Sequence, residues 1–197
     1  LGTFKVLSNR AEMMKTPTSP KELFSILSHR HSILLEGRPH MNPGIFKTKN
    51  NRAGMTEFVD YQLVKGTLSQ GFKYYAALTD PFARAIFMMF MISEVHPFND
   101  GNGRVARVMM NAEFVRADQS RIIVPTVFRE DYILALRKLT QHKDPLAYIN
   151  VMTKLHQFSD NLYGTDFTEL KNYLATCNAY EEPSQAKLQI IDRTIIE

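Results

Sequence analysis

A base, a carboxylate, two glycines and two arginines lie within twelve consecutive residues of this 197-residue chain. The stretch reads His96-Pro97-Phe98-Asn99-Asp100-Gly101-Asn102-Gly103-Arg104-Val105-Ala106-Arg107. Gly101 and Gly103 permit left-handed backbone angles and carry no side chain, so successive N–H groups can converge on an anion. A helix predicted to begin near Asn102 adds N–H groups and the positive end of its dipole. The stretch therefore predicts a phosphate site at a helix start.

The charged residues of the stretch suit a metal-bound polyphosphate. Arg104 and Arg107 are three residues apart, so both guanidinium groups can reach one anion from one helical face. Asp100 is placed to hold Mg²⁺, which keeps waters and substrate oxygens as its other ligands. The imidazole of His96 can take a proton from a hydroxyl nucleophile near neutral pH. This combination predicts phosphoryl or nucleotidyl transfer, in which positioning and electrostatics carry most of the catalysis.

Other interpretations of the same residues explain less. A calcium loop starting at Asp100 needs an oxygen ligand at its fifth position and a glutamate at its twelfth, where the sequence has Arg104 and Asn111. A Walker loop would end in Gly-Lys-Ser or Gly-Lys-Thr, which the stretch lacks. A simple helix cap explains Asp100 and the glycines and leaves His96 and the arginines unexplained. The other five histidines, His31 among them, have no metal-ligand spacing and are predicted to be surface or capped histidines.

Composition is that of an ordinary globular protein, with 44% hydrophobic and 22% charged residues. The net charge of +4 is spread along the chain, so no nucleic-acid partner is expected. The single cysteine, Cys177, cannot form an internal disulfide, which favours a cytoplasmic location and leaves secretion as an effector open. No signal peptide is visible, and the most apolar run, residues 85–95, is too short to cross a bilayer. The sequence leaves a homo-oligomer open.

The elements that must position the site are predicted to be helices and one hairpin. Ser19 and Pro20, with Glu22 three residues after Ser19, are typical of a capped helix start, and this helix should run to about Glu36. Strand-like residues 45–48 and 55–59 flank a polar turn and predict a β-hairpin. Further helices are predicted over residues 81–95, from 102, and near 129–141, 145–163 and 166–178. The helix over 81–95 is apolar nearly all round, which indicates the centre of a bundle.

The stretch from His96 to Arg107 resembles the Fic-domain motif, His-Pro-Phe-x-Asp/Glu-Gly-Asn-Gly-Arg-x-x-Arg, and matches it at every specified position. The resemblance covers about residues 20–160 and implies an all-α, Fic-type helical bundle in which a small β-hairpin, the flap, precedes the motif. Residues 45–59 lie where that flap should be. We expect an N-terminal extension over residues 1–19, the Fic domain over 20–163, and a C-terminal helix and tail over 164–197.

The resemblance also implies a protein adenylyltransferase (AMPylator), which moves AMP from ATP to a Ser, Thr or Tyr hydroxyl of a target protein and releases pyrophosphate. His96 would be the general base, and Asp100 would bind the Mg²⁺ that bridges the phosphates. The ATP phosphates would lie on the anion nest and the two arginines, that is, on Gly101, Asn102, Gly103, Arg104 and Arg107. The flap, residues 45–59, would hold the target protein by strand addition.

Two alternatives to this function stay open at this point. A Fic-fold transferase of another nucleotide or phosphate-linked group fits the same residues, as does a non-catalytic nucleotide-binding interaction module. Members of the Doc type, which transfer phosphate, carry Lys in place of the second glycine, so Gly103 favours AMP transfer.

One further segment resembles the family's inhibitory pattern, whose glutamate would pair with Arg107. It reads Ser32-Ile33-Leu34-Leu35-Glu36-Gly37. We favour a helix end for this segment, since glycine commonly follows the last helical residue.

Overall fold

The computed structural model describes residues 2–54 and 56–193, and these residues are mainly helical. They form nine α-helices and one antiparallel pair of short strands, which confirms the predicted all-α fold with a small hairpin. The chain divides into two compact units, Leu1–Gln119 and Ser120–Glu197. The first unit contains every predicted site residue. Its elements are α1 (Gly2–Ser8), α2 (Arg10–Met13), α3 (Pro20–Leu34), β1 (Arg52–Ala53), β2 (Thr56–Glu57), α4 (Val64–Ala77), α5 (Pro81–Val95) and α6 (Asn102–Arg116).

Helices α5 and α6 pack against each other and form the core of the first unit. α5 begins where predicted, with Asp80 accepting a hydrogen bond from the Ala83 N–H at 2.7 Å. Its methionines are core residues, since Met88 and Met89 are fully buried. One face of α6 is also buried, at Val105, Val108, Met109 and Ala112. The two packed helices thus hold both ends of the loop that connects them, residues 96–101, which we call the motif loop.

Helix α3 starts as predicted, with the Ser19 hydroxyl accepting from the Glu22 N–H at 3.2 Å. The short helices α1 and α2 precede it in a segment where no helix was predicted. Arg30 of α3 is completely buried and donates to a Glu12 carboxylate oxygen at 3.2 Å and to the Lys15 carbonyl at 2.7 Å. Because a buried guanidinium needs such partners, Arg30 fastens the N-terminal segment to α3.

The hairpin is shorter than the sequence predicts. β1 pairs with β2 in the register Arg52 with Glu57 and Ala53 with Thr56, and Met55 lies outside the described residues. The predicted strand over 45–48 is wrong, because that segment binds the motif loop instead of a neighbouring strand. The Lys47 N–H donates to the Pro97 carbonyl at 2.8 Å, and the Lys47 side chain is only 3% exposed.

The second unit contains α7 (Arg129–His142), α8 (Pro145–Asp160) and α9 (Phe167–Thr176), close to the predicted positions. Phe158, Tyr173 and Cys177 form its buried cluster. Within residues 2–54 and 56–193, no helix is both long and apolar enough to cross a membrane. The predicted domain boundaries after residues 19 and 163 stay predictions.

Candidate active site

The motif loop, residues 96–101, connects the end of α5 to the start of α6. His96 closes α5 in a left-handed conformation (φ 49°, ψ 59°), and its N–H donates to the Ile92 carbonyl at 3.0 Å. Gly101 precedes α6 at φ 77°, and a Cβ there would lie 2.7 Å from Leu35 Cδ2. The loop therefore turns at both ends through backbone angles that ordinary residues avoid.

A buried aromatic ring and a side-chain clamp fix the interior of the loop. Phe98 is fully buried and its ring stacks on that of His31, with 3.7 Å between centroids and 4° between planes. The Asn102 side chain accepts from the Phe98 N–H and donates to the Phe98 carbonyl, both at 2.8 Å. Phe98 therefore anchors the loop in the core. Because both polar groups of the Asn102 side chain are used inside the loop, this residue offers a ligand its backbone N–H.

His31 is part of this support: it is completely buried, not at the surface, and both of its ring nitrogens are hydrogen-bonded. Its Nδ1 accepts from the Gly44 N–H at 2.8 Å, which leaves Nε2 to donate to the Asp100 carbonyl at 2.9 Å. Burial lowers the pKa of the His31 imidazole below its usual value. A neutral His31 on α3 thus holds both the motif loop and the segment that leads to the flap. Spacing gives no signal for it, since 69 residues separate His31 from Asp100.

The side chain of His96 is arranged as a proton acceptor. Nδ1 lies 3.0 Å from the Ser93 carbonyl, and because a carbonyl only accepts, the proton sits on Nδ1 and the lone pair on Nε2. Burial lowers the pKa of His96, the Ser93 carbonyl opposes this, and the positive charge of Lys47 lowers the pKa further. The Phe58 ring stacks on the imidazole at 3.6 Å with planes 5° apart, which fixes the plane in which Nε2 points.

Two flap residues that the sequence did not identify hold the motif loop in place. The Asn51 amide donates to the carbonyls of Phe98 at 2.9 Å and His96 at 3.3 Å. The Lys47 ammonium donates to the Asn51 carbonyl oxygen at 2.7 Å and to the Val95 carbonyl at 3.3 Å. Lys47 is thus a buried residue that positions the motif loop.

The predicted acid and arginines meet at the start of α6. The Asp100 carboxylate accepts from Arg38 Nη1 at 2.5 Å and lies 3.4 Å from Arg104 Nη2. A Cβ on Gly103 would lie 3.5 Å from Arg107 Nη1, so Arg107 reaches the same first turn. The first turn of a helix leaves N–H groups without intrahelical acceptors, here those of residues 102–104. Carboxylate, guanidinium and N–H groups therefore surround one helix start.

The backbone conformation of Gly103 differs from the prediction. It is the second residue of α6 and is helical, so the left-handed angle expected at both glycines is found at Gly101 alone of the two. Gly103 is exposed, and its missing side chain leaves the first turn of α6 open beside Arg107.

A divalent cation at this site would need most of its coordinating atoms from a bound nucleotide and from water. Among residues 2–54 and 56–193, no group of three or more His, Cys, Asp or Glu side chains could hold a metal ion. Asp100, which is partly exposed, supplies one carboxylate. This donor set fits Mg²⁺ held mainly by nucleotide oxygens and waters, and it does not fit an ion held by protein alone.

The segment that resembles the inhibitory pattern is a helix end. α3 stops at Leu34, and the Glu36 carboxylate accepts from Lys5 Nζ at 2.8 Å in an exposed ion pair. Ser32 donates to the His29 carbonyl at 2.7 Å, within the same helix. These contacts agree with the interpretation favoured from the sequence.

Comparison with known proteins identifies relatives of the first unit. A model described as the Fic/DOC family matches residues 23–113. A protein adenylyltransferase fic-1 of Caenorhabditis elegans is 39% identical over 110 residues, which are 55% of this chain and 22% of that protein. A probable protein adenylyltransferase of Aquifex aeolicus is 32% identical over 103 residues, 52% of this chain and 30% of that protein. The chain thus spans less than a third of these relatives.

Solved structures share the fold. Residues 134–508 of Fic-1 from C. elegans superpose with a TM-score of 0.66 at 18% identity, covering 90% of this chain and 50% of that one. A Fic domain containing signaling protein from Bacteroides thetaiotaomicron gives a TM-score of 0.65 at 16% identity, covering 79% of this chain and 65% of that one. At these identities the likeness establishes the architecture alone.

Proposed function

We propose that this chain is a protein adenylyltransferase of the Fic/DOC family, whose model matches its residues 23–113. It transfers AMP from ATP to a Ser, Thr or Tyr hydroxyl of a target protein and releases pyrophosphate. The observation that carries the proposal is the position of the neutral His96. Its Nε2 has a free lone pair, and its loop leads directly into the start of α6, where N–H groups and arginines can bind phosphate. The names of the curated relatives support the same reaction class.

In the proposed reaction His96 is the general base. The hydroxyl oxygen of the target attacks the α-phosphorus of ATP, and its proton passes to Nε2 of His96. The new bond joins that oxygen to phosphorus, the bond between the α-phosphorus and the bridging oxygen breaks, and pyrophosphate leaves with the electron pair. The Ser93 carbonyl bound to Nδ1–H stabilises the imidazolium that forms.

The phosphates would lie on the first turn of α6. The N–H groups of residues 102–104 and the guanidinium groups of Arg104 and Arg107 supply hydrogen bonds and positive charge to the departing pyrophosphate. Asp100 would hold Mg²⁺, which supplies charge neutralisation between phosphate oxygens when bound. The open position at Gly103 leaves room for the phosphates beside the helix.

The flap would present the target protein. The hairpin is exposed at Arg52, Ala53 and Glu57, so its backbone can accept an extended segment by strand addition. Its inner side is fastened to the motif loop through Lys47, Asn51 and Phe58. A target segment on the flap would therefore lie at a fixed distance from His96.

Transfer of label from ATP tests the proposal. The protein is incubated with a mixture of acceptor proteins, Mg²⁺, and ATP labelled on either the α- or the γ-phosphate. We expect protein-bound label from the α-phosphate alone, lost in His96→Ala and on chelation of Mg²⁺. His40→Ala is the matched control, since His40 is exposed and outside the motif loop.

The outcomes separate the alternatives. Label from the γ-phosphate would indicate phosphate transfer, and label from another α-labelled nucleoside triphosphate would indicate a different nucleotidyl donor. Nucleotide binding without any label in wild type would favour a non-catalytic binding module. Label that persists in His96→Ala would contradict the role of the base.

A further inference from the structure

Arg38, which lies outside the motif, forms an ion pair with the acidic residue of the site. It follows α3, and its backbone N–H donates to the Leu35 carbonyl at 2.8 Å. Its guanidinium Nη1 lies 2.5 Å from Asp100 Oδ2. Leu35 is buried against Gly101, so the turn that carries Arg38 is packed directly on the start of α6. The placement of Arg38 at this helix start is therefore built into the fold.

The contact of Arg38 with Asp100 is exchangeable. The side chains are 50% and 34% exposed, and exposed ion pairs contribute little to stability because water competes for both partners. If a divalent cation takes the Asp100 carboxylate, the Arg38 guanidinium loses its anion while the phosphates of a bound nucleotide arrive at the same helix start. A guanidinium fork matches phosphate oxygens as well as it matches a carboxylate.

We propose that Arg38 is a third phosphate-binding arginine of this site, which pairs with Asp100 until the metal-bound nucleotide takes over both groups. The proposal rests on the function proposed above and adds to it a binding residue, 62 positions before Asp100, that the motif does not contain. Without it, the phosphates meet Arg104 and Arg107 alone. With it, three guanidinium groups from two elements surround the departing pyrophosphate.

Binding of α,β-methylene-ATP with Mg²⁺, measured by titration calorimetry, tests the proposal without turnover. We expect Arg38→Ala to weaken binding about tenfold, as the loss of one charge-assisted contact should, and Arg38→Lys to recover part of it. Adenosine, which has no phosphate, should bind both proteins equally. Arg10→Ala is the matched control, since Arg10 forms an exposed pair with Asp118 at 3.0 Å, outside the site.

The same measurement in an Asp100→Asn background separates direct contact from an effect on the carboxylate. If Arg38 touches phosphate, its removal weakens binding in both backgrounds. Unchanged or tighter binding by Arg38→Ala would overturn the proposal and leave the proposed function standing. A loss that disappears in the Asp100→Asn background would also overturn it. If wild type binds no nucleoside triphosphate at all, the proposed function itself fails.

Discussion

At the scale of single residues, Gly101 and Gly103 contribute to the site in different ways. Gly101 holds a left-handed angle and leaves no room for a Cβ beside Leu35. Gly103 is helical, and a Cβ there would make an ordinary contact of 3.5 Å with Arg107. The first glycine is therefore required by the fold, whereas the role of the second, under the proposed function, is to leave space for a ligand.

Alanine at the two positions should separate these roles. We expect Gly101→Ala to lower the free energy of unfolding by about 2–4 kcal/mol, from the backbone angle and the overlap with Leu35 together. Gly103→Ala should leave stability unchanged or raise it by up to about 1 kcal/mol, since alanine favours a helix, and should impair AMP transfer. Urea unfolding followed by circular dichroism measures the first effect. Equal destabilisation by both substitutions would contradict this assignment.

At the scale of elements, the flap and the motif loop form one structural piece. Side-chain groups of Lys47 and Asn51 bind backbone carbonyls of residues 95–98, and the Phe58 ring covers His96. Burial lowers the pKa of the Lys47 ammonium, and the opposing charge of Asp60 raises it. Since these contacts join the flap to the base directly, a change in the flap should reach the chemistry without any contact to the nucleotide.

Asn51→Ala tests this coupling. The substitution removes one hydrogen bond from the Phe98 carbonyl and one from the Lys47 ammonium, which should cost about 1–3 kcal/mol of stability. We expect kcat to fall more than the KM for ATP rises, and amide hydrogen exchange to increase in residues 96–101. Lys49→Ala is the control, since Lys49 is exposed in the same segment. Unaltered exchange in the loop would show that Asn51 does not hold it.

At the scale of the whole molecule, stability should depend on pH through buried neutral histidines. The folded-state pKa values of His31 and His96 are lowered by burial, so between these values and the usual value the unfolded chain binds more protons. The contribution of these two histidines to the free energy of unfolding is therefore complete at a pH above the usual histidine pKa. It is lost as the pH falls from that value through the lowered folded-state pKa values. His31 contributes most directly, because protonated Nδ1 would face the Gly44 N–H.

We expect the free energy of unfolding to decrease as the pH is lowered from about 7.5 to about 5.5, a range above the usual carboxylate pKa values. His31→Gln, which is neutral at every pH, should be less stable at the upper end and show a flatter profile. His40→Gln should retain the wild-type slope, since His40 is exposed. Urea unfolding at several pH values measures all three. A profile for His31→Gln as steep as that of wild type would refute the assignment.

The sequence by itself determined the helical fold, the positions of α5 and α6, and the residues of the motif loop. These follow from signals that act over a few residues: apolar periodicity, the cap at Ser19, and the order of groups from His96 to Arg107. The resemblance to the Fic domain suggested the reaction class that we propose. The same local signals predicted the strand over 45–48. That prediction is wrong because the Lys47 N–H donates to the Pro97 carbonyl of the motif loop instead of to a neighbouring strand.

Only the tertiary structure decided what supports the loop. His31, Lys47, Asn51 and Phe58 come from α3 and the flap, and Arg38 from the turn after α3, each at least 38 residues from its partner in the loop. Whether a lysine is solvated or buried, and which nitrogen of His96 carries the proton, depends on groups that folding brings together from distant parts of the chain. Spacing along the sequence does not encode those contacts, because the packing of α3 and the flap on the loop sets them.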